Sequence, residues 1–151
     1  MYRLHHIAVQ DPRGFVAKLS DFGMSVLLDE SKQREVKKGS VEYMPHDHFL
    51  DGHVTSKTDV YSLGIVMWEM WHGDLWEDIY RRELNQQRFD EINMSNFRPV
   101  CDSACPHGYR QIVESCLSPD DKRPPVSEVL RKLQRLCVDL VELLVPTQKI
   151  G

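Results

Sequence analysis

The sequence predicts a mainly α domain in which a short β-hairpin is followed by about five helices arranged around one buried central helix. Three stretches support this prediction: an apolar run in the middle of the chain, a long amphipathic stripe near its end, and two short apolar segments around a turn near its start. The 151 residues suffice for one domain with its own hydrophobic core.

The central helix is expected over residues 55–73. Between Leu63 and Trp71 only Gly64 and Glu69 are not hydrophobic, so this helix has no polar face. A helix that is apolar all round belongs inside a core, and this one is too short to span a bilayer, which needs about 20 apolar residues.

Polar residues mark both ends of this helix. Ser56 or Thr58 is expected to cap its first amides, and Asp59 lies in the first turn, where the helix dipole favours a carboxylate. Gly73 follows the last apolar residue and is expected to end the helix.

A second, amphipathic helix is expected over residues 126–145, before Pro146. Its apolar stripe consists of Val126, Val129, Leu130, Leu133, Leu136, Cys137, Leu140, Val141 and Leu144. Its extension over residues 138–145 is expected to pack against the rest of the chain, with a groove for a partner helix as the alternative.

The remaining elements are shorter. Residues 7–19 read as a hairpin around the turn signal at 11–14. A loop with a short helix is expected over 39–51. Apolar residues at helical spacing predict a helix over 74–88, and Pro106 is expected to begin another helix.

Composition excludes several classes of protein. The net charge of −4 argues against a nucleic-acid binder, and no apolar run is long enough for a membrane span. The first residues lack the apolar core of a signal peptide, so a cytoplasmic location is expected. The four cysteines are then most simply reduced thiols: Cys101, Cys105, Cys116 and Cys137.

Four short motifs occur in a fixed order along the chain. They are AKLSDFG at 17–23, GSVEYM at 39–44, DVYSLG at 59–64 and DDKRP at 120–124. In this order and spacing they resemble the C-terminal lobe of a eukaryotic-type protein kinase, in a style similar to the tyrosine-kinase-like group, over about residues 4–136.

The resemblance implies a division of the chain. A partial protein kinase domain would span 1–145, followed by a tail over 146–151. Within the domain the resemblance implies a hairpin (1–20), an activation segment (21–47) and a helical subdomain (48–145).

The resemblance implies a metal-binding role for Asp21. Its carboxylate would hold Mg²⁺ between the β- and γ-phosphates of ATP, with Phe22 and Gly23 completing the cofactor-binding motif. Gly23 is expected to let the backbone reverse. The alternative is that Asp21 only caps a turn.

Other catalytic parts of the family are not found in these 151 residues. The catalytic aspartate position falls at Met1 and the second metal-ligand position at His6. No Gly-x-Gly-x-x-Gly loop and no Val-Ala-Ile-Lys strand occurs. ATP-dependent phosphorylation of protein Ser, Thr or Tyr is the family function, but the isolated chain is expected to be inactive and not to bind ATP and Mg²⁺.

Three further residues take structural roles in the family. Asp47 would pair with Arg123 inside the protein, or instead cap the helix that follows it. Asp59 would anchor the catalytic loop in the family, but here it is expected to stabilise its own helix. Candidate phosphorylation sites in the activation segment are Ser25, Ser31 and Ser40.

Two alternatives stay open. A zinc site at Cys101, Cys105 and His107, or at 46–48, lacks paired Cys-x-x-Cys spacing and a fourth ligand. For function, the alternative to a kinase fragment is a non-catalytic, pseudokinase-like scaffold with an exposed apolar surface around Ile7, Ala8 and Phe22. Expected partners are a protein substrate, a scaffold partner or a complementary kinase N-lobe, and neither nucleic acid nor membrane.

Overall fold

Three α-helices are the main elements among the residues that the structure describes. The computed structural model of the chain describes residues 18–25, 40–45, 48, 54–79 and 98–144, and no strand is present within them. The helices are α1 (Thr58–His72), α2 (His107–Cys116) and α3 (Val126–Leu144). Two short 3₁₀ turns, Phe22–Met24 and Val41–Tyr43, come before α1.

The core is built where α1 packs against α2 and α2 packs against α3. Its buried side chains include Val60, Ile65, Met67, Trp68, Ile112, Val113, Cys116 and Val129. Burial of these apolar side chains is what stabilises the three helices, since isolated helices of this length are marginal in water.

Gly64 sets the distance between α1 and α2. A Cβ added at this position would lie 2.7 Å from Cys116 Cβ and 3.1 Å from Leu117 Cδ2. The two backbones therefore approach more closely than any residue with a side chain at position 64 would allow.

The predicted burial of the central helix is confirmed for most of its length but not for its last turn. Met70 is 75% exposed and Trp71 is 38% exposed. The hydroxyl of Tyr109, in the first turn of α2, donates to the carbonyl of Met67. The last turn is covered on one side only: His72 stacks on Trp68, whereas Met70 faces solvent.

The capping prediction for α1 is wrong at the start of the helix and confirmed at its end. Lys57 is the N-cap residue and makes no side-chain cap bond. Instead the Thr55 hydroxyl accepts from the Lys57 amide (3.1 Å), and the Thr58 hydroxyl accepts from the Thr55 amide (3.0 Å). Gly73 ends the helix with φ 74°, the left-handed conformation that glycine adopts without strain.

The long amphipathic helix predicted near the end of the chain is confirmed as α3. Val129 is buried, and Leu133 and Leu136 are half-buried against the core. The expected packing of the C-terminal extension is wrong for its described side chains, since Val138 and Val141 are more than half exposed. The apolar stripe is therefore wider than the part of it that the described residues cover.

The other predicted elements lie partly outside the described residues. The hairpin falls there except for 18–20, which are irregular and exposed. Of the helix expected over 74–88, residues 76–79 are helical, and the helix opened by Pro106 is confirmed as α2. Among the described helices, none has the length and apolar content needed to cross a bilayer.

Candidate functional site

Asp21 adopts a backbone conformation that is uncommon for a residue with a side chain. Its φ is 65° and its ψ 63°, in the left-handed region, and it is the one non-glycine residue with positive φ in the described ranges. Such a conformation costs about 1–3 kcal/mol and is often found at functional sites. Asp21 immediately precedes the turn Phe22–Met24, which is closed by the Ser25 amide donating to the Phe22 carbonyl (3.0 Å).

The chain reversal expected at Gly23 takes the form of a 3₁₀ turn, and the residue with positive φ lies two positions earlier. Gly23 lies inside the 3₁₀ turn, and positive φ occurs at Asp21 instead. A Cβ on Gly23 would lie 3.6 Å from Asp21 Oδ1, an ordinary contact. The left-handed conformation belongs to Asp21, and Gly23 lies inside the turn Phe22–Met24 that follows it.

The surroundings of Asp21 are open to solvent. The Asp21 side chain is exposed, and the neighbouring apolar residues Leu19 and Phe22 are 73% and 67% exposed. An exposed carboxylate is a suitable oxygen ligand for a hard cation such as Mg²⁺, which commonly takes one or two protein carboxylates and completes its shell with phosphate oxygens and water.

The segment 40–45 is fixed on α1 by two side chains that the sequence analysis did not single out. The Tyr43 hydroxyl donates to Glu69 Oε1 (2.7 Å), and the Trp76 amide donates to the same oxygen (2.9 Å). The Ser62 hydroxyl donates to the Tyr43 carbonyl (2.9 Å). Burial and the bond to Glu69 raise the pKa of Tyr43, so the phenol stays a donor at all physiological pH values.

One signal in the sequence pointed to this arrangement. Glu69 is the single charged residue in the apolar run of the central helix. A carboxylate inside such a run needs a hydrogen-bond partner, because leaving a buried charge unpaired is costly. The partner is Tyr43, which lies 26 residues away in the sequence. Periodicity cannot predict a partner at that distance.

A polar network of Thr55, Lys57, Asp120 and Arg123 joins the start of α1 to the loop before α3. Arg123 is 2% exposed and donates to the carbonyls of Ser118 (3.0 Å) and Lys57 (3.1 Å). Asp120 Oδ1 accepts from the Thr55 hydroxyl (2.8 Å) and lies 3.4 Å from Arg123 Nη1. Lys57 Nζ donates to the Asp120 carbonyl (2.9 Å).

The residues predicted to be structural have separate outcomes. Arg123 is buried, as expected for an internal anchor, whereas Asp47 lies outside the described residues and its pairing stays a prediction. Asp59 is exposed in the first turn of α1 and is not part of the network. Asp120 and Thr55 are part of the network, although the sequence analysis did not single them out.

The candidate phosphorylation sites are only partly described. Ser25 and Ser40 are exposed, and Ser31 lies outside the described residues. The Ser40 carbonyl accepts from the Tyr43 amide (3.0 Å), which closes the turn Val41–Tyr43.

Two cysteines, Cys101 and Cys105, lie just before α2. Cys101 and Cys105 are both buried, and burial together with the neighbouring Cys105 raises the pKa of Cys101 to about 12. Zinc binds thiolate rather than thiol. In the part of the chain that the structure describes, no three His, Cys, Asp or Glu side chains are grouped so as to hold a metal ion.

Comparison with known proteins agrees with this architecture. The family described as protein tyrosine and serine/threonine kinase matches residues 6–133. A probable serine/threonine-protein kinase, roco7, of Dictyostelium discoideum is 31% identical over 123 residues, covering 80% of this chain and 5% of that protein. Wall-associated receptor kinase-like 18 of Arabidopsis thaliana is 28% identical over 137 residues, covering 80% of this chain and 17% of that protein.

A third relative is the dual specificity protein kinase zak2 of Dictyostelium discoideum, 27% identical over 127 residues, or 82% of this chain and 19% of that protein. The chain thus spans less than a fifth of the length of each of these three relatives. The family match covers most of the 151 residues. This chain belongs to the protein tyrosine and serine/threonine kinase family, of which it resembles the C-terminal lobe.

Proposed function

We propose that these residues form the part of a protein kinase that holds the catalytic metal ion, and that on their own they do not transfer phosphate. The observation that carries the proposal is the left-handed, exposed Asp21 at the head of a 3₁₀ turn. Residues held in sparsely populated backbone conformations cluster at active sites and ligand clamps.

The docking of segment 40–45 on α1 supports this proposal. In the kinase reading this segment closes the activation segment that begins at Asp21. Tyr43 and Ser62 tie it to the central helix through a phenol–carboxylate bond and a hydroxyl–carbonyl bond. The far end of the activation segment therefore has a fixed attachment to the helical body.

Asp21 fits a magnesium ion as one ligand among several. Magnesium bound there would neutralise charge on the phosphates of ATP, and phosphoryl transfer depends mainly on such neutralisation and on positioning. Asp21 would hold the ion through a carboxylate oxygen, and the turn Phe22–Met24 would keep that carboxylate aimed outward. Among the described residues Asp21 belongs to no group of three His, Cys, Asp or Glu side chains that could hold a metal ion, and a single carboxylate gives weak affinity, which is the physical reason for expecting the chain alone to bind Mg²⁺·ATP poorly.

The second reason is the sequence itself. These 151 residues contain neither a glycine loop nor a His-Arg-Asp catalytic motif. Without a base and a lysine to orient the nucleotide, the positioning that accounts for most of the rate is not supplied by this stretch of chain.

The test combines calorimetry with a local probe of the metal site. Titrating Mg²⁺·ATP into the 151-residue chain should give no measurable heat, whereas Mn²⁺ at millimolar concentration should broaden the amide resonances of Phe22 and Gly23. Asp21→Asn should abolish this broadening, and Asp59→Asn, which changes an exposed carboxylate elsewhere, should leave it unchanged.

Two results would count against separate parts of the proposal. Micromolar Mg²⁺·ATP binding that disappears in Asp21→Ala would show that the chain is not an incomplete nucleotide site. Broadening that persists in Asp21→Asn would remove Asp21 from the metal site.

A second candidate function is a non-catalytic binding module, and the exposure of Leu19 and Phe22 favours it. Large apolar side chains exposed close together in the chain are candidates for contact with a partner. The partner with the best fit is a protein surface such as a complementary kinase N-lobe. Phe22→Ser would weaken binding of such a partner, whereas Asp21→Asn would not, and this order reverses if the site acts through the metal.

A further inference from the structure

Two thiols lie next to each other inside the protein, in the stretch of chain that leads into α2. Cys101 is 7% exposed and Cys105 is 3% exposed, and both belong to the buried core. Each is a free cysteine, and a hydrogen bond joins the two side chains. Only three residues separate them, so a bond between their sulfurs would close a very small loop.

A turn that begins at Asp102 brings the two cysteines together. Asp102 Oδ1 accepts from the amides of Ala104 and Cys105, both at 3.0 Å. The Asp102 carbonyl also accepts from the Cys105 amide (3.3 Å). An aspartate that bonds the backbone two and three residues further on holds a turn closed. The chain therefore folds back on itself between the two thiols.

The thiol pair lies where α2 is attached to α1. The Tyr109 hydroxyl donates to the Met67 carbonyl (2.8 Å), and burial together with the two nearby thiols raises the pKa of Tyr109. Trp68 Nε1 donates to the carbonyl of Val100 (2.9 Å), the residue directly before the first thiol. A covalent bond between the thiols would therefore fix the chain at this attachment.

We propose that Cys101 and Cys105 are a redox pair that closes to an intramolecular disulfide by exchange with glutathione disulfide. One cysteine thiolate attacks a glutathione sulfur, forms a mixed disulfide and releases the first glutathione. The second cysteine then attacks the protein sulfur of this mixed disulfide and releases the second glutathione. The two electrons lost by the cysteines reduce the glutathione disulfide, and the two thiol hydrogens end on the two glutathione molecules.

The surroundings of the pair make this exchange slow. Attack requires a thiolate, and burial together with the neighbouring Cys105 raises the pKa of Cys101 to about 12. Glutathione disulfide also has to reach a buried sulfur, so the reaction passes through a local opening of the turn at Asp102.

Asp102 also fastens this turn to the end of α1. Trp71 Nε1 donates to Asp102 Oδ1 (3.4 Å), and His72 Nδ1 lies 3.6 Å from Asp102 Oδ2. The same carboxylate thus holds the turn closed and holds it against the helix. Its removal should increase the opening that the exchange needs.

Mass spectrometry tests the proposal on the 151-residue chain carrying Cys137→Ser, which removes the exposed thiol. After incubation with glutathione disulfide, the peptide that contains both residues of the pair should be lighter by two hydrogens. It should also resist alkylation until it is reduced. Cys116 is the matched control, because it is buried as well but hydrogen-bonds the Ser115 side chain, and it should stay a thiol.

Single substitutions separate pair closure from simple glutathione addition. In Cys105→Ala and in Cys101→Ala the remaining thiol should carry glutathione at most, with no peptide lighter by two hydrogens. A chain in which both thiols stay free overturns the proposal. So does one in which glutathione adds to one thiol without closure of the pair, or one in which Cys116 enters a disulfide as readily as the pair does.

Two substitutions at Asp102 test the opening. Asp102→Ala removes the acceptor that closes the turn and should speed disulfide formation by about tenfold or more. Asp102→Asn keeps an oxygen that can accept from both amides, and it should change the rate by less than about threefold. Equal rates in Asp102→Ala and in the chain that keeps Asp102 would show that the turn does not control access to the pair.

Urea unfolding reports whether the folded chain accommodates the bond. The oxidised chain should unfold at a higher urea concentration than the reduced chain, because a disulfide restricts the unfolded chain. A lower midpoint after oxidation would show that the bond strains the folded loop, and it would overturn the inference that the turn at Asp102 places the two sulfurs for it.

Discussion

Replacing Gly64 by alanine should destabilise the protein even though alanine is the better helix former. The new Cβ would lie 2.7 Å from Cys116 Cβ, about 1 Å closer than two carbon atoms prefer. Both atoms are attached directly to the backbone, so no side-chain rotation can relieve the contact. α1 and α2 have to separate instead.

The magnitude follows from two opposing effects. A gap of 0.5–1 Å forfeits about a quarter to a half of the dispersion energy of the atoms that line it, and overpacking of this type costs about 1–3 kcal/mol. The cost should lie near the upper limit, because the α1–α2 contact contains Ile65 and Val113, both 0% exposed. Helix propensity returns about 1 kcal/mol, so the net loss should be about 1–2 kcal/mol.

Urea unfolding followed by circular dichroism measures this loss, with Gly108→Ala as the matched control. A Cβ at Gly108 would lie 3.1 Å from Leu136 Cδ1, the far end of a flexible side chain that can move away. The control should be neutral or stabilising. If Gly64→Ala is as stable as the original chain, the close approach of α1 and α2 does not constrain the fold and the reasoning fails.

Two further predictions concern buried groups. Arg123→Lys should lower the free energy of unfolding by about 2–3 kcal/mol, because a single ammonium group cannot bond the carbonyls of Lys57 and Ser118 together. Urea unfolding measures this loss, and a loss below about 0.5 kcal/mol would contradict the prediction. Stability should also fall as pH rises above about 9. Burial raises the pKa of Cys116 to about 11 and that of Cys101 to about 12, so the unfolded chain releases protons that the folded chain keeps. Each of these two thiols changes the free energy of unfolding by up to about 1.4 kcal/mol per pH unit in this range. Urea unfolding curves recorded from pH 8 to 10.5 should show the decrease, and Cys137→Ser should leave the slope of stability against pH unchanged. A stability that does not vary with pH would contradict the prediction.

Sequence patterns located the helices well where one rule dominated. The stop at Gly73 and the span of α3 follow from conformational freedom and from a long amphipathic period, and both are local properties. The start of α1 could not be predicted in the same way. Ser56, Thr58 and Thr55 are chemically similar, and the hydroxyl that accepts from the Lys57 amide, that of Thr55, also donates to Asp120, 65 residues further along.

The candidate site shows the same limit. The motif singled out Asp21 for its carboxylate, and nothing in the sequence indicated that Asp21 itself adopts the left-handed conformation, since glycine is the usual residue for it. The periodicity of α3 indicated one apolar face, and the structure divides it between Val129, which is buried, and Leu130, which is exposed. Periodicity measures the width of a face, and only the packed neighbours decide how much of it is covered.

The network of Thr55, Lys57, Asp120 and Arg123 has a consequence for the order of folding. Its bonds join residues 63–66 positions apart, and closing a loop of that length costs chain entropy that a few polar contacts cannot offset early in folding. The α2–α3 contact, between helices separated by nine residues, needs only a short loop to close. The helical pair α2–α3 can therefore form first, with the start of α1 attached last and released first when the protein opens.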